Sequence, residues 1–138
     1  MSNTEYKSDK IKLLARRTQD DFNSPSSEES LWHLSGEKVQ FNDLQDFVLT
    51  SLYYILNNER EFLAYGVDHA LNYYKEIIHF NAEPTEQEVD MCIGGLKQKL
   101  NLIENKINSW CLHNSWINVI ILNETNDLYE LIFWETTA

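Results

Sequence analysis

Four histidines and two cysteines are the residues with which this chain could hold a metal or run nucleophilic chemistry, and their spacing argues against both. Cys111-Leu112-His113 leaves one residue between sulfur and imidazole. Common zinc sites leave two to four, and no second pair completes a four-ligand set. Cys111 is expected to pack and His113 to sit in a surface loop. His69 and His79 would lie about 15 Å apart along a helix, too far to share an ion. Nucleophilic catalysis needs a base and an orienting group around a Ser or Cys, and no nucleophile elbow or family signature is present. Gly36, Gly66, Gly94 and Gly95 form no phosphate-cradling loop. Carboxylate pairs such as Glu59/Glu61 and Glu86/Glu88/Asp90 accompany any chain this acidic and do not by themselves imply acid/base work. The expectation is therefore no enzyme, no cofactor and no metal.

Charge is more informative. The 138 residues carry 11 basic and 22 acidic groups, a formal net of -11. Residues 1–17 hold five basic groups (Lys7, Lys10, Lys12, Arg16, Arg17) and two acidic ones, a net of +3, so the remaining 121 residues hold six basic and twenty acidic, a net of -14. A basic arm on an acidic body either folds back on that body or reaches for an anionic partner, and folding back is the expected case. The body is too poor in Lys and Arg for direct nucleic-acid contact. Its charge instead suits a basic protein, whose approach it would speed electrostatically.

Two clusters could carry such binding. One gathers Asp43, Asp46, Glu59, Glu61, Asp68 and Glu76 with Tyr53, Tyr54, Tyr65 and Tyr73, several of them beside rather than on the apolar stripes. Tyrosine among carboxylates has the composition of an interface anchor, a stiff contact area with a polar end. The other is Glu83, Glu86, Glu88 and Asp90, which read more simply as first-turn acids stabilising a helix dipole.

The elements that must position these residues follow from periodicity. Ile11, Leu14 and Ala15 form a weak helical stripe over about 9–18. Residues 19–30 are polar with Pro25 inside, a flexible connection. Ser30, Leu31, Trp32 and Leu34 before Gly36 fit a short helix with a glycine cap. Asn42 with Gln45 reads as a capping box opening a helix whose stripe is Leu44, Phe47, Val48, Ser51, Leu52, Ile55 and Leu56. Asn57-Asn58 interrupts it, and Leu63, Val67, Ala70, Leu71, Tyr74, Ile77 and Ile78 restart it, as a second helix or as one bent helix. Thr85 with Glu88 opens a further helix whose seam, Val89, Ile93, Leu96, Leu100, Ile103, Ile107 and Trp110, has the 3.5-residue period of bundle packing. From Trp116 two β-branched and aromatic runs flank a polar loop, a β-hairpin apolar on both faces that needs helices or a third strand, for which 38–41 is the candidate. The expected fold is a single α+β domain over 1–138, a bundle of three to five helices with the C-terminal hairpin packed against it.

No apolar leader segment opens the chain and no stretch is long and apolar enough to span a bilayer, so a cytoplasmic location is expected. Size, acidity and the lack of catalytic motifs together fit a small inhibitor of the immunity or antitoxin kind, a monomer or homodimer that blocks a basic toxin, with a nuclease as the expected target. A phage-type anti-defence (anti-CRISPR-like) protein occupying a nucleic-acid channel is the alternative. A second is an acidic secretion chaperone, which would dimerise through the heptad seam or add a client strand to the hairpin edge.

Overall fold

The computed structural model describes residues 7–17, 29–58, 66–78, 104–115 and 118–136. Its centre is a five-stranded antiparallel sheet: β1 (Lys12–Arg17), β2 (Glu29–Glu37), β3 (Asn108–Asn114), β4 (Asn118–Glu124) and β5 (Leu128–Thr136), in the order β1-β2-β5-β4-β3. Between β2 and β3 in sequence come α1 (Leu44–Asn58) and α2 (Val67–Ile77), the two α-helices among the described residues. The expected helical bundle is thus replaced by a sheet, and the hairpin of β4 and β5 lies inside that sheet with both outer edges paired, to β3 and to β2.

Three segments read as helix or loop are strands. The arm makes a 3-10 turn at Ser8–Lys10 and then becomes β1, while Glu29 and Ser30, assigned to the flexible connection, open β2. Leu31, Trp32, Leu34 and Gly36 fit a helical spacing, but Trp32, Leu34 and Gly36 also alternate, and short apolar runs do not separate the two periods. Nine-residue pairing of β2 with β5 decides it. Gly36 is no helix cap. A Cβ there would lie 2.6 Å from Phe41 Cε2 and 3.0 Å from Phe47 Cε1, so glycine lets both rings close over the strand. The third strand expected at 38–41 is instead a 3-10 turn, Lys38–Gln40.

The seam helix fails where it can be followed. Ile107 lies just ahead of β3 and Trp110 within it, so their spacing of three was not a helical repeat. The other seam positions and the Glu83/Glu86/Glu88/Asp90 cluster lie outside the described residues.

The stripe of α1 holds as predicted: Phe47, Val48, Ser51, Leu52, Ile55 and Leu56 are all buried. At its head the box is shifted by one residue. Asp46 N-H donates to Asp43 Oδ1 (2.8 Å) and Asn42 N-H donates to Asp46 Oδ2 (2.8 Å), so carboxylates rather than amides satisfy the orphan donors. Gly66, at φ 93°, adopts a conformation closed to L side chains and sets off α2, so α1 and α2 are separate helices.

Both helices cover one sheet face, where Trp32, Leu34, Leu112, Ile120, Leu122, Tyr129, Leu131 and Phe133 join their apolar stripes in one core. Each fully buried Leu, Ile or Phe contributes about 1.5–3 kcal/mol. The other face is equally shut off from water: Leu31, His33, Val119, Ile121, Asn123, Glu130 and Ile132 are each at most 5% exposed. The two-faced burial expected for the hairpin is therefore found along β4 and β5. Among the described residues, no helix is long and apolar enough to cross a membrane.

Candidate functional site

Register brings together, on the face away from the helices, four polar side chains from four strands. His33 Nε2 pairs with Glu130 Oε2 at 2.6 Å, Asn123 Nδ2 donates to Glu130 Oε1 at 2.7 Å, and Ser109 Oγ bonds Asn123 Oδ1 at 2.7 Å. The chain His33-Glu130-Asn123-Ser109 runs from β2 through β5 and β4 to β3, because Asn123 is opposite both Glu130 and Ser109 while Glu130 lies two residue pairs along from His33, on the same face. These are residue types found in hydrolytic centres, but none exceeds 4% exposure, so no substrate atom reaches them. Their chemistry is structural, since a satisfied buried polar chain fixes strand register where apolar contacts alone permit slippage.

Sequence reasoning passed over His33, Asn123, Glu130 and Ser109. The available signal was a polar residue interrupting each apolar run: Leu-Trp-His-Leu, Ile-Leu-Asn and Tyr-Glu-Leu-Ile. Only the strand register shows that these interruptions meet.

At the end of the sheet where β2 meets α1, Lys38 Nζ donates to Glu124 Oε2 (2.6 Å) and to Thr125 O (3.2 Å), and Asn108 Nδ2 donates to Glu124 Oε1 (3.0 Å). Burial works against the charge on Glu124, yet the Lys38 and Asn108 hydrogen bonds outweigh it and hold the carboxyl below its ordinary value. The Glu124 hydrogen bond in turn holds the Lys38 ammonium above its ordinary value. Burial pushes the Tyr129 hydroxyl up.

The sequence-predicted binding residues separate into three groups. Asp43 and Asp46 cap α1, and Thr50 Oγ1 adds a bond to Asp46 O at 2.6 Å. Tyr53 and Tyr54 are half-buried against the core, Tyr54 edge-on to Trp32 with centroids 6.2 Å apart. Asp68, Tyr73 and Glu76 are exposed on α2. Helical spacing puts the exposed Asp68, Asn72, Lys75 and Glu76 on one outward stripe, with Tyr73 at its side. Tyr73 is 55% exposed and rests edge-on against Tyr74 at 5.3 Å, which itself packs on Phe133 at 5.6 Å. The outward ring is thus backed by Tyr74, whose own edge-on contact with Phe133 reaches the sheet. Glu59, Glu61 and Tyr65 lie outside the described residues.

The basic arm has folded back, as β1. The Arg16 guanidinium lies 4.1 Å from the Trp32 ring centroid and donates to Leu31 O at 3.2 Å. Cys111, in β3, has its Sγ 3.7 Å from His113 O, and no group of three or more His, Cys, Asp or Glu suited to a metal occurs among the described residues. No family model matches the chain, and neither a curated protein nor a solved structure is recognisably similar to it.

Proposed function

We propose that this protein is a small acidic inhibitor of the immunity or antitoxin type, which binds a basic toxin or effector and blocks its working groove. The observation that carries the reading is the outward side of α2, where exposed Tyr73 rests edge-on against Tyr74, which itself packs on Phe133, on a helix that also exposes Asp68 and Glu76. An exposed aromatic ring on a helix whose outward carboxylates, Asp68 and Glu76, outnumber its one lysine, Lys75, gives a cationic surface both contact area and electrostatic complementarity. The net charge of -11 steers such a partner over distances near the Debye length, about 8–10 Å at physiological salt.

The His33-Glu130-Asn123-Ser109 chain, though built of catalytic residue types, is shut off from solvent. A nuclease is the partner class proposed, because its groove is basic by necessity. An anti-defence protein would use the same stripe against a nucleic-acid channel. The chaperone alternative loses one of its two routes, since both edges of the hairpin are already paired within the sheet.

An affinity pull-down at low and high salt, with wild type and Tyr73→Ala side by side, tests the proposal. Recovery of one basic protein at low salt, lost at high salt and weakened by Tyr73→Ala, is the expected result. Equal recovery by the variant would remove α2 as the contact.

A further inference from the structure

We propose that the rim of β1, with the turn ahead of it, docks an acidic protein segment, Leu13 and Leu14 making the apolar contacts and Lys7, Lys10 and Lys12 the charged ones. This rim is separate from α2 and carries the opposite charge. Folding back uses only part of the basic arm. Arg16 is engaged by the Trp32 ring and by Leu31 O, whereas Lys7, Lys10 and Lys12 stay exposed. Lys10 lies 3.9 Å from Asp9, and Lys7 and Lys12 make no ion pair among the described residues.

The backbone explains why two consecutive leucines lie outside. Leu13 is opposite Leu34 and Ala15 is opposite His33, so Leu14 is an extra residue with no partner in β2. A bulge of this kind interrupts the alternation of faces and re-aims a side chain. Leu13 is 42% and Leu14 38% exposed, while Ile11, just ahead of the strand, is buried in the core and fixes where the strand begins. The same bulge blunts strand addition at this edge, so the contact is made by side chains rather than by the ladder.

The charged groups around the rim select its occupant. β1 and its turn carry Lys7, Lys10, Lys12, Arg16 and Arg17 against the single carboxylate of Asp9. The β2 residues opposite β1, Leu31 to Ser35, include no carboxylate, and Glu37 beyond them is exposed. The Ser8–Lys10 turn packs against α1, whose one charged residue, Asp46, accepts from Asn42 N-H. Asp43 and Asp127 lie across β2, Asp43 acting on the Tyr129 hydroxyl and Asp127 O accepting from Lys38 N-H. The rim is thus cationic on an acidic chain. Nucleic acid or an anionic bilayer would extend past it and meet repulsion from the rest of the chain, within about 8–10 Å at physiological salt. Two copies joined rim to rim would bring lysine onto lysine. A short segment of Asp or Glu with aliphatic side chains touches the rim alone and complements it in charge and in apolar contact.

Random octapeptides displayed on phage are selected on the immobilised full chain, with wild type, Lys7→Glu/Lys12→Glu, Leu13→Ser/Leu14→Ser and Tyr73→Ala run in parallel, each checked for folding by circular dichroism. Wild type and Tyr73→Ala are expected to enrich sequences that combine Asp or Glu with aliphatic residues, and both β1 variants to lose them. The best such peptide, fluorescein-labelled and followed by anisotropy, should bind each β1 variant about tenfold more weakly. Absence of acidic enrichment, or its retention by either β1 variant, would overturn the proposal. Enrichment of Lys/Arg peptides alone, lost with Tyr73→Ala, would overturn it while leaving the α2 reading intact. A single-stranded oligonucleotide or a phosphatidylserine vesicle that binds as tightly as the peptide, and is released by Lys7→Glu/Lys12→Glu, would overturn the choice of occupant. Salt-sensitive self-association in sedimentation, abolished by that same variant, would assign the rim to a second copy and overturn it too.

Discussion

Replacing Glu130 by leucine removes the middle of the buried polar chain and strands its partners. His33 Nε2 loses an acceptor at 2.6 Å and Asn123 Nδ2 one at 2.7 Å, in a place where Glu130 and Asn123 are 0% and His33 1% exposed, so no water replaces them. A buried donor left unpaired costs about 1–3 kcal/mol, and breaking a buried pair from one side typically costs about 3–5 kcal/mol. Set against the 5–15 kcal/mol that is usual for a domain, Glu130→Leu should remove about a third of the stability or more. His33→Leu made together with Glu130→Leu replaces both members of the pair by apolar volume, so the double variant should cost less than the two singles added, by about 1–3 kcal/mol. Urea unfolding of wild type, both singles and the double, followed by circular dichroism and tryptophan fluorescence, gives all four values. A Glu130→Leu cost under about 1 kcal/mol, or strict additivity in the cycle, would refute the reasoning that this chain of contacts is closed and satisfied.

Gly36→Ala should destabilise by about 1–3 kcal/mol, measured the same way, because its Cβ would meet the Phe41 ring at 2.6 Å and force both phenylalanines to shift. Asp43→Ala removes the acceptor for Asp46 N-H at the head of α1 and should cost about 1 kcal/mol. Acid unfolding should report on Glu124. Its carboxyl is held below the ordinary 4.5, so its contribution is complete above pH 4.5 and is lost as pH falls through the lowered value. Glu124→Gln should therefore be the less stable protein near neutrality and converge on wild type below that pH. On the alkaline side the Lys38 contribution is complete below 10.5 and is lost only as pH rises through its raised value.

What could be read from residues alone was local and strongly periodic. The buried stripe of α1 has seven positions over more than three turns, long enough to average out accidents, and every predicted member except the half-buried Leu44 is fully buried. The C-terminal hairpin was equally legible, since β-branched runs flank a turn that Thr125 closes by accepting from Asp127 N-H and Leu128 N-H through its hydroxyl. The sheet was not legible, because its pairing is long-range. β2 finds β5 almost a hundred positions later in the chain, and nothing within Ser-Leu-Trp-His-Leu-Ser-Gly distinguishes that strand from a helical turn. The seam ending at Ile107 and Trp110 misled for a related reason: the strand that begins at Asn108 is fixed by its pairing with β4, which no local spacing records. Edge protection was likewise invisible. Among the described residues β1 and β3 are the outer strands, and each carries a register shift, between Leu13 and Ala15 in β1 and between Cys111 and His113 in β3, a device that blunts pairing with other chains.

The binding residues show the same division. Composition located the tyrosines and carboxylates, but their roles depend on where the core is. Tyr54 turns its ring to Trp32, Asp43 is engaged at the head of α1, and Tyr73 alone of the described candidate tyrosines is left outward.

Inhibition by occupancy is tested most directly by competition. The basic protein recovered at low salt, once purified, is loaded with a fluorescent nucleic acid and titrated with this protein while anisotropy is followed. Occupancy of the groove predicts complete release of the nucleic acid at one equivalent, with Tyr73→Ala requiring at least tenfold more. A ternary complex, in which the acidic protein binds and the nucleic acid stays, would contradict it.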